Sequence, residues 1–583
     1  MSDRPFHILH VDLETGQGKR SDFAPVSQVL GGSGLAAALF EHYGDPKLPA
    51  HHPSQPLIFA IGPLTGIFPL MSKVVCAFKS PYNEEYAESH AGGRLALSMR
   101  FAGYDAIVVT GQAKELSFLS IGGRKLHVEG VEYLRGRDVF SAGKYLRKRT
   151  PTHGHGSIIR IGPAGENQVA YACINVDSFR HFGRLGSGAV MGAKNLKGIA
   201  VIGDRELPLP DGKEYKKQFK EIYAQVTSTG MMSKYHNLGT AENLLALNEL
   251  RALPWDNLRH TTRPEIDGIS GERFAEQLLL RQTACAGCPV GCIHIGLLRE
   301  KFADENEYLY RQVSYDYEPI FACGSMLGLT AASDVLTILD ECERQGLDVM
   351  SAGVALAWAA EALDKGIITE KETLVPLVNG EKAGFADAVA LLGGRVNEFY
   401  RLLGEGTLKA AAHYGGEDFA CVLGQEMAGY ATGEVYFVSQ ALGFRHSHLD
   451  SGAYSYDQKK KPGEKDADDA VAYMIEDERM RVMLTSMVSC LFARKVYDAD
   501  RLREALRSVG LSDAADRLDE LAREMQILRW RMKIACGFDP RAVKIPRRFL
   551  EVETWKGTMD EAFLNELKEK YAAAILDLAG GEE

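Results

Sequence analysis

The sequence predicts an α+β fold in which a β-rich N-terminal domain, residues 1–205, precedes two mainly helical domains, residues 206–412 and 413–583. Three observations carry this prediction. A chain of 583 residues is too long for one hydrophobic core and indicates roughly two to four domains. Of its 59 glycines, 27 fall in the first 205 residues, among short apolar runs. After the proline-bearing segment 207–211, helical periodicity replaces those runs.

Strands are predicted through the first domain, where glycine or proline bounds short apolar runs such as FHILHVDL, PLIFAIG, YDAIVVTG and GIAVIGD. Helices are predicted near 34–43 and 141–149. Because no crossover helix of ordinary length separates most of these runs, a Rossmann fold is disfavoured.

Helices are predicted through the remainder, because segments such as ASDVLTILDECERQ and VALAWAAEAL repeat apolar residues at helical spacing. From about residue 405, short strand-like pieces mix with long helices. The segment DAADRLDELAREMQILRWRMKIACG predicts an amphipathic helix that ends near Gly537.

The amino-acid composition argues against some classes of function. With 45% apolar and 25% charged residues the chain is an ordinary globular one, and its net charge of −11 disfavours nucleic acid as a partner. No apolar run has the roughly 18 residues that a membrane helix requires, and no signal-peptide pattern is present at the N-terminus. We therefore expect a cytoplasmic protein without a membrane span.

The strongest local signal is the C-x2-C-x3-C triplet Cys285, Cys288 and Cys292 in TACAGCPVGC. Glycine and proline force a tight loop there, which can direct three thiolates at one centre. Iron–sulfur cubanes take four cysteine ligands, so a remote fourth is expected, and Cys490 is the candidate. Structural zinc, with His294 completing a Cys3His set, and unliganded thiols are the alternatives.

Glycine-rich loops are the second signal. Each alone is typical of a plain turn, but five on one β platform could present backbone N–H groups to a large phosphate-bearing cofactor. The segments are GGSGLAAALF, IGPLTG, SHAGGRL, IGPAGEN and GRLGSGAVMGAKNLK.

The sequence resembles the aldehyde:ferredoxin oxidoreductase family of tungsten enzymes. The resemblance covers nearly the whole chain, and the matching motifs occur in the same order as in the family. The motifs SHAGGRLALSMRFAGYDAIVVTG, IGPAGENQVAYACINVD, CAGCPVGC and LRWRMKIACGF carry the resemblance. It implies a tungsten atom held by two pterins that a magnesium ion links, with one [4Fe–4S] cluster nearby. The first domain would form the cofactor base. Sequence does not separate tungsten from molybdenum, because pterin sulfurs bind either metal.

The resemblance also assigns residues. The implied cluster ligands are Cys285, Cys288, Cys292 and Cys490. The implied pterin-loop residues are Lys73, His90, Gly92, Gly93, Arg184 and Gly186. The family usually has arginine at Lys73 and asparagine at His90. Lysine keeps the charge but loses the planar two-pronged donor.

The family's two D-x-x-G-L motifs, which hold the pterin rings, align with ERQGLD and TSMVSC. The first supplies Glu343, Gly346, Leu347 and Asp348. The second has Thr485 for aspartate and Val488 for glycine, which indicates a divergent branch.

In the substrate pocket, the resemblance places Glu318 as the glutamate and His448 as the histidine, two groups that can accept and relay protons. Each alone would be an ordinary salt-bridging or surface residue. His446 is the competing histidine, since the alignment is gapped here. Cys323 is a possible extra metal ligand, although a buried thiol is the simpler interpretation.

The expected function is tungsten-dependent oxidation of an aldehyde to a carboxylic acid, with electrons passing through the cluster to ferredoxin or an iron–sulfur partner subunit. One alternative is the catalytic subunit of a complex that reduces an aromatic acyl-thioester or another low-potential substrate. Another is a noncatalytic iron–sulfur or zinc protein. The family often forms homodimers.

Overall fold

The computed structural model describes residues 3–150, 153–303 and 307–580. Residues 3–150 and 153–203 contain two six-stranded sheets, with strand orders β2-β1-β6-β3-β4-β5 and β11-β10-β9-β12-β7-β8. The strands are β1 Pro5–Asp12, β2 Gln17–Pro25, β3 Leu57–Ala60, β4 Val74–Lys79, β5 Tyr86–Ala91, β6 Ala106–Thr110, β7 Ser117–Ile121, β8 Leu126–Gly130, β9 His155–Arg160, β10 Ile174–Val176, β11 Arg180–Phe182 and β12 Leu196–Gly203. The helices are α1 Val26–Val29, α2 Gly32–Tyr43, α3 Leu95–Ala102, α4 Val139–Arg149, α5 Pro163–Glu166 and α6 Ser187–Ala193.

The two sheets share one apolar core. In β1, Leu9 and Val11 face this core together with Ile199 and Val201 of β12, whereas Phe6 belongs to a larger core that includes the helices. Strands β3, β4 and β6 are covered on both faces and are therefore mostly apolar along their length rather than alternating, whereas the edge strand β2 is polar and largely exposed. The sequence signal of short apolar runs comes from this double burial.

The α+β fold class is confirmed, and helices cover both segments predicted as helical in the first domain. Four further helices there, α1, α3, α5 and α6, were not predicted. Helix α6 has the sequence SGAVMGA, in which glycine lowers helix propensity. A Cβ on Gly188 would lie 2.5 Å from the carbonyl oxygen of Cys173, and one on Gly192 would overlap that of Gly165. Close backbone packing, rather than propensity, therefore holds α6.

Helices dominate the remainder of the chain. They are α7 Lys213–Ser228, α8 Gly230–Asn237, α9 Asn243–Glu249, α10 Gly271–Gln277, α11 Tyr317–Cys323, α12 Ala332–Gln345, α13 Val349–Asp364, α14 Glu370–Thr373, α15 Lys382–Gly394, α16 Glu398–Leu403, α17 Thr407–Tyr414, α18 Glu434–Leu442, α19 Ala453–Lys459, α20 Ala467–Ser486, α21 Ala499–Ser508, α22 Ser512–Asp516, α23 Leu518–Ala535 and α24 Glu561–Gly580. The domain limits proposed at 205 and 412 stay predictions.

A three-stranded antiparallel sheet within this helical part was not predicted. Its strands are β13 Leu279–Thr283, β14 Ile293–Ala303 and β15 Glu307–Tyr315, with β14 in the centre. Two small hairpins complete the strands: β16 Val422–Leu423 with β17 Gln425–Glu426, and β18 Glu553–Thr554 with β19 Gly557–Thr558.

Within the described ranges, no single helix is both long and apolar enough to cross a membrane. The pair Tyr317–Leu327 and Ala332–Gln345, bent by 111°, meets that test of length and composition only when taken together.

A buried ion pair joins the first domain to the C-terminal helices. Arg529 of α23 donates from Nε to Oε1 of Glu88 in β5 over 2.8 Å, and both side chains are buried. The hydroxyl groups of Ser33 and Tyr86 donate to the same carboxylate over 2.8 and 3.1 Å. The charge of Arg529 and hydrogen bonds from His90 and Arg529 hold the pKa of Glu88 far below its usual range despite burial, which alone would raise it.

Removing the cation should therefore be costly, because it leaves an uncompensated carboxylate in the core. We predict that Arg529→Met lowers the free energy of unfolding by about 3–5 kcal/mol. Urea unfolding monitored by circular dichroism measures the change. Arg523→Met, at an exposed position of the same helix, is the matched control and should shift the midpoint little. Equal shifts in the two variants would contradict the assignment.

Candidate active site beside a four-cysteine centre

The loop between β13 and β14, residues 284–292, carries three cysteines in a tight turn. The backbone N–H of Cys288 donates to the carbonyl of Cys285 over 3.2 Å, and that of Val290 donates to Sγ of Cys288 over 3.5 Å. Gly287 and Gly291 adopt φ values of 69° and 67°, which only glycine reaches without strain. The sequence thus coils the loop and brings the three thiols to the wall of one cavity.

A strip of first-domain backbone joins the fourth cysteine to this loop. The N–H of Leu70 donates to the carbonyl of Gly287 over 3.1 Å, while its own carbonyl accepts from the N–H of Cys490 over 3.1 Å. Three residues on, the N–H of Lys73 donates to the carbonyl of Val488 over 3.1 Å. Cys490 lines the same cavity as the other three cysteines.

Cations lie among these thiols. A Cβ on Gly92 would be 2.5 Å from Sγ of Cys285 and 3.1 Å from Nζ of Lys73, so glycine is required for both to approach. Burial tends to lower the pKa of Lys73, but the thiolates of Cys490 and Cys285 raise it above the ordinary value. Burial likewise tends to raise the pKa of Cys285, and Lys73 with Arg180 lowers it. The ammonium group therefore favours the thiolate form that binds metal.

The other two loop thiols have the opposite shift. Burial raises the pKa of Cys288 to about 11 and that of Cys292 to about 12. Ligation by these two cysteines would have to displace their protons, so metal binding here would depend on pH.

A structural zinc site would need His294 as its fourth ligand, but both ring nitrogens of His294 face backbone carbonyl groups. The ring nitrogens of His294 lie 3.2 Å from the carbonyl oxygen of Cys292 and 2.8 Å from that of Asn237. Across the described ranges, no three His, Cys, Asp or Glu side chains are grouped to hold a single metal ion. One zinc ion draws its sulfurs within bond lengths of about 2.3 Å, whereas a cubane takes ligands spread over four irons. The donor set fits a cluster better than zinc.

The cavity beside the cysteines has a volume of about 390 Å³. Basic side chains line it on the first-domain side, among them Lys73, Arg180, His181 and Arg184. Nη1 of Arg184 is buried without a hydrogen-bond partner among the described residues. An unpaired guanidinium nitrogen in a glycine-bounded cavity fits a large anionic cofactor, such as a phosphate-bearing pterin.

Most residues that the resemblance implies lie on this wall. They are Lys73, His90, Gly92, Arg184, Cys285, Cys288, Cys292, Glu318, Glu343, Leu347, Asp348, His448 and Cys490. Gly93, Gly186 and Gly346 do not line it. Their φ values are 101°, 88° and 72°, so they shape the loops behind the wall.

The carboxylates of the first motif are already engaged by protein groups. Asp348 accepts from Nε of Arg184 over 3.1 Å and caps α13 by accepting from the N–H of Ser351 over 3.2 Å. Glu343 lies 2.8 Å from Nε2 of His181, and this contact lowers its pKa against the effect of burial, which raises it. Both carboxylates therefore also orient the basic residues of the wall.

His90 keeps the neutral character of the asparagine that the family usually has there. Burial, helped by the charge of Arg445, lowers the pKa of His90 to about 4. Its Nε2 lies 3.3 Å from Oε2 of Glu88. Near neutral pH the imidazole is thus an uncharged donor and acceptor, as an amide would be.

The second motif keeps its backbone shape although its residues differ. Val488 has φ of 55°, a left-handed conformation that a β-branched residue rarely adopts and that glycine takes freely. Thr485 lines the cavity, and its hydroxyl donates to the carbonyl of Val482 over 3.3 Å.

Glu318, at the start of α11, meets His448 across the cavity. Nε2 of His448 lies 3.1 Å from Oε1 of Glu318, and the hydroxyl of Tyr430 donates to the same oxygen over 2.9 Å. Burial alone would raise the pKa of Glu318, but the bonds from His448 and Tyr430 hold it below its usual value. The carboxylate is therefore ionised. Nδ1 of His448 is buried without a hydrogen-bond partner among the described residues.

Asp316, two residues before Glu318, was not predicted and lines the same cavity. Burial and the charge of Glu318 raise its pKa to about 7. Arg180 and His181 act in the opposite direction. A neutral acid beside an ionised carboxylate is the arrangement that acid–base chemistry uses. Its only sequence signal is a second acid at a spacing of two, DYE, which is common in solvated turns.

The two remaining candidates lie away from the cavity. Nδ1 of His446 lies 2.9 Å from the carbonyl oxygen of Ala441, and its Nε2 lies 3.1 Å from Glu85. Neither His446 nor Cys323 lines the cavity. Cys323 is buried, with Sγ directed at the carbonyl of Val349 over 3.9 Å, so a role as metal ligand is not favoured.

The chain combines a two-sheet base closed by helices with four thiols beside a cavity lined by basic side chains, and the family comparison defines its class as an oxidoreductase. The chain belongs to the aldehyde ferredoxin oxidoreductase family. Residues 8–203 match the family's N-terminal domain, and residues 217–575 match its domains 2 and 3. The family implies a tungsten bis-pterin cofactor, and the cavity wall fits one.

Two similar proteins of known name are also oxidoreductases. The tungsten-containing aldehyde ferredoxin oxidoreductase of Pyrococcus furiosus is 28% identical over 93% of this chain and 91% of its own length. The aliphatic sulfonate oxidoreductase WOR-like subunit of the same organism is 27% identical over 69% of this chain and 66% of its own length. Among solved structures, the active-site complex BamBC of benzoyl coenzyme A reductase shares the fold, with a TM-score of 0.82 at 21% identity, over 98% of this chain and 94% of that one.

The raised pKa of Asp316 predicts a pH-dependent cost. The unfolded side chain ionises near pH 4 and the folded one near 7, so stability falls between these values and the full penalty persists above pH 7. We predict that Asp316→Asn stabilises the protein at pH 8 by on the order of 4 kcal/mol more than at pH 4. Thermal unfolding across this range measures it, with exposed Asp387→Asn as control. Parallel curves for Asp316→Asn and the native protein would refute the shift.

Proposed function

We propose that this enzyme oxidises an aldehyde with water to a carboxylic acid and passes the two electrons, one at a time, to ferredoxin or an iron–sulfur partner subunit. The observation that carries the proposal is the Glu318–His448 pair in the same cavity as four cysteines. A proton acceptor and an electron outlet that share one chamber are what such a reaction requires. We propose a cytoplasmic site of action.

For each expected cofactor, this chain has residues that would bind it. Cys285, Cys288, Cys292 and Cys490 would ligate the [4Fe–4S] cluster. The pterins, with their magnesium-linked phosphates, would contact Lys73, His90, Gly92, Arg184 and the segment 343–348. When bound, the tungsten or molybdenum bis-pterin supplies the two-electron redox chemistry and the cluster supplies one-electron exits.

The chain's own residues would manage protons. Two donors hold Oε1 of Glu318, which fixes the carboxylate and leaves Oε2 to accept a proton from the attacking water. Neutral Asp316 would donate a hydrogen bond to the substrate oxygen as charge develops there. Nδ1 of His448 would bind substrate or receive the second proton.

Apolar side chains complete the chamber and favour a hydrophobic substrate. Leu449, Leu491 and Phe492 line the cavity, and the ring of Phe492 stacks on Tyr235 with centroids 3.8 Å apart. These groups would exclude water around the reacting carbonyl.

A second candidate is reduction of an aromatic acyl-thioester as the catalytic subunit of a complex. It is supported by the similarity to BamBC, whose solved form contains a dienoyl coenzyme A. Assays separate the two candidates: aldehyde with oxidised viologen for the first, and acyl-thioester with reduced viologen for the second. The noncatalytic alternative is set aside, because the family is one of oxidoreductases.

Glu318→Gln tests the proton acceptor. The amide keeps the size but cannot accept a proton, so we predict a loss of dye-linked aldehyde oxidation of at least about 100-fold. Tungsten and iron contents should equal those of the native enzyme. Asp387→Asn serves again as the exposed control. Glu318→Gln activity within tenfold of native would exclude the role.

Cys490→Ser tests the remote cluster ligand. We predict that anaerobically purified variant loses most of its about four irons per chain and its visible absorption, because a cubane needs four thiolates. Cys536→Ser, at a partly exposed cysteine outside the cavity lining, should keep its iron. Native iron content in Cys490→Ser would show that the fourth ligand lies elsewhere.

A further inference from the structure

Strands β14 and β15 extend beyond the helices as a two-stranded ribbon with exposed apolar side chains. Tyr310 is 61% exposed, Phe302 56% and Leu309 42%. A monomeric protein rarely exposes so many large apolar groups on one short element, and such groups mark interaction sites. An extended ribbon without packing on both faces also gains stability from a partner.

One face of the ribbon is cationic. Arg299 pairs across the strands with Tyr310, and Lys301 pairs with Tyr308, so these four side chains share a face. The guanidinium of Arg299 lies over the ring of Tyr308 at 3.8 Å. Arg281 of β13 reaches the same face, where it donates to Gln312 over 3.1 Å. We name Arg281, Arg299, Lys301, Tyr308, Tyr310 and Gln312 the cationic ribbon face.

The charge of this face contrasts with that of the whole chain. By strand alternation, no acidic side chain shares it in β13, in β14 up to Lys301 or in β15 from Tyr308 onward. Glu300 lies on the opposite face, 3.5 Å from Arg311. Since the chain carries a net charge of −11, a basic aromatic patch is a local feature that attracts an acidic protein.

The same face leads to the cysteine centre. Ser314, which alternation places on it, lines the cofactor cavity. Strand β14 begins directly after Cys292, and Ala284, Gly287 and Pro289 of the cysteine loop are exposed. At roughly 3.3 Å per residue, Arg281 is about 10 Å of chain from that loop. A protein bound to the ribbon face would thus lie against the loop.

We propose that the cationic ribbon face docks an acidic iron–sulfur electron carrier. This proposal rests on the proposed function and assigns its electron exit to a surface. One electron passes from the reduced cluster of this enzyme to the oxidised cluster of the carrier, and no bond forms or breaks. Arg281, Arg299 and Lys301 steer the carrier, and Tyr308 with Tyr310 supplies apolar contact area.

The test uses the anaerobically purified holoenzyme and a purified acidic bacterial-type ferredoxin. The double variant Arg299→Glu with Lys301→Glu is compared with Lys144→Glu and Lys148→Glu, which makes the same change in net charge on exposed positions of α4. We expect the ribbon variant to raise the Kd and KM for ferredoxin at least tenfold and to flatten their dependence on salt. The control should keep native values.

Viologen reaches the cluster without docking, so dye-linked rates and the substrate KM should be native in both variants. Native ferredoxin affinity in the ribbon variant would overturn the proposal. A raised substrate KM in the dye-linked assay would also overturn it, because the face would then bind substrate. A change in oligomeric state would overturn it as well, because the face would then bind a second copy of this chain. Failure of the proposed function would give a different result from failure of the docking proposal. The native enzyme and both variants would lack dye-linked activity, while the ferredoxin-binding measurement would still test the docking site.

Discussion

The active site depends on a strip of main chain at residues 70–73. Leu70 has a φ of 62°, and its N–H and carbonyl point to two different partners, Gly287 in the cysteine loop and Cys490. Cysteines almost two hundred positions apart thus meet because one first-domain residue is bonded to both segments. Side-chain chemistry supplies the ligands, but the backbone hydrogen bonds fix where they converge.

Around this strip, buried charge is arranged in compensating pairs. Lys73 lies among thiols, Arg184 next to Asp348, and Arg529 next to Glu88. Each pair offsets the desolvation that burial imposes, and an unpaired nitrogen of Arg184 is left for the cofactor. In the substrate pocket, Glu318 and Asp316 differ in their pKa. Hydrogen bonds favour the charged form of Glu318, whereas burial next to Glu318 favours the neutral form of Asp316.

Three of the departures from the family pattern are conservative in physical terms. His90 is neutral at the position of an asparagine, and Val488 keeps a left-handed backbone at the position of a glycine. Lys73 keeps a positive charge next to the cysteines where arginine is usual. At these three positions the charge or the backbone shape is kept while the residue type changes, whereas Thr485 replaces an aspartate and loses its charge.

The sequence by itself determined the family, the α+β class and thirteen of the residues that line the cavity, because long collinear motifs and a cysteine triplet are local patterns. It favoured His448 but kept His446 as a competitor, since both are histidines in one short segment; only the tertiary structure turns His448 toward Glu318 and His446 toward Glu85. Asp316 was missed because its raised pKa comes from burial next to Glu318. The sheet β13–β15 and helix α6 were missed because pairing and backbone contacts between distant segments, rather than local propensity, hold them in place.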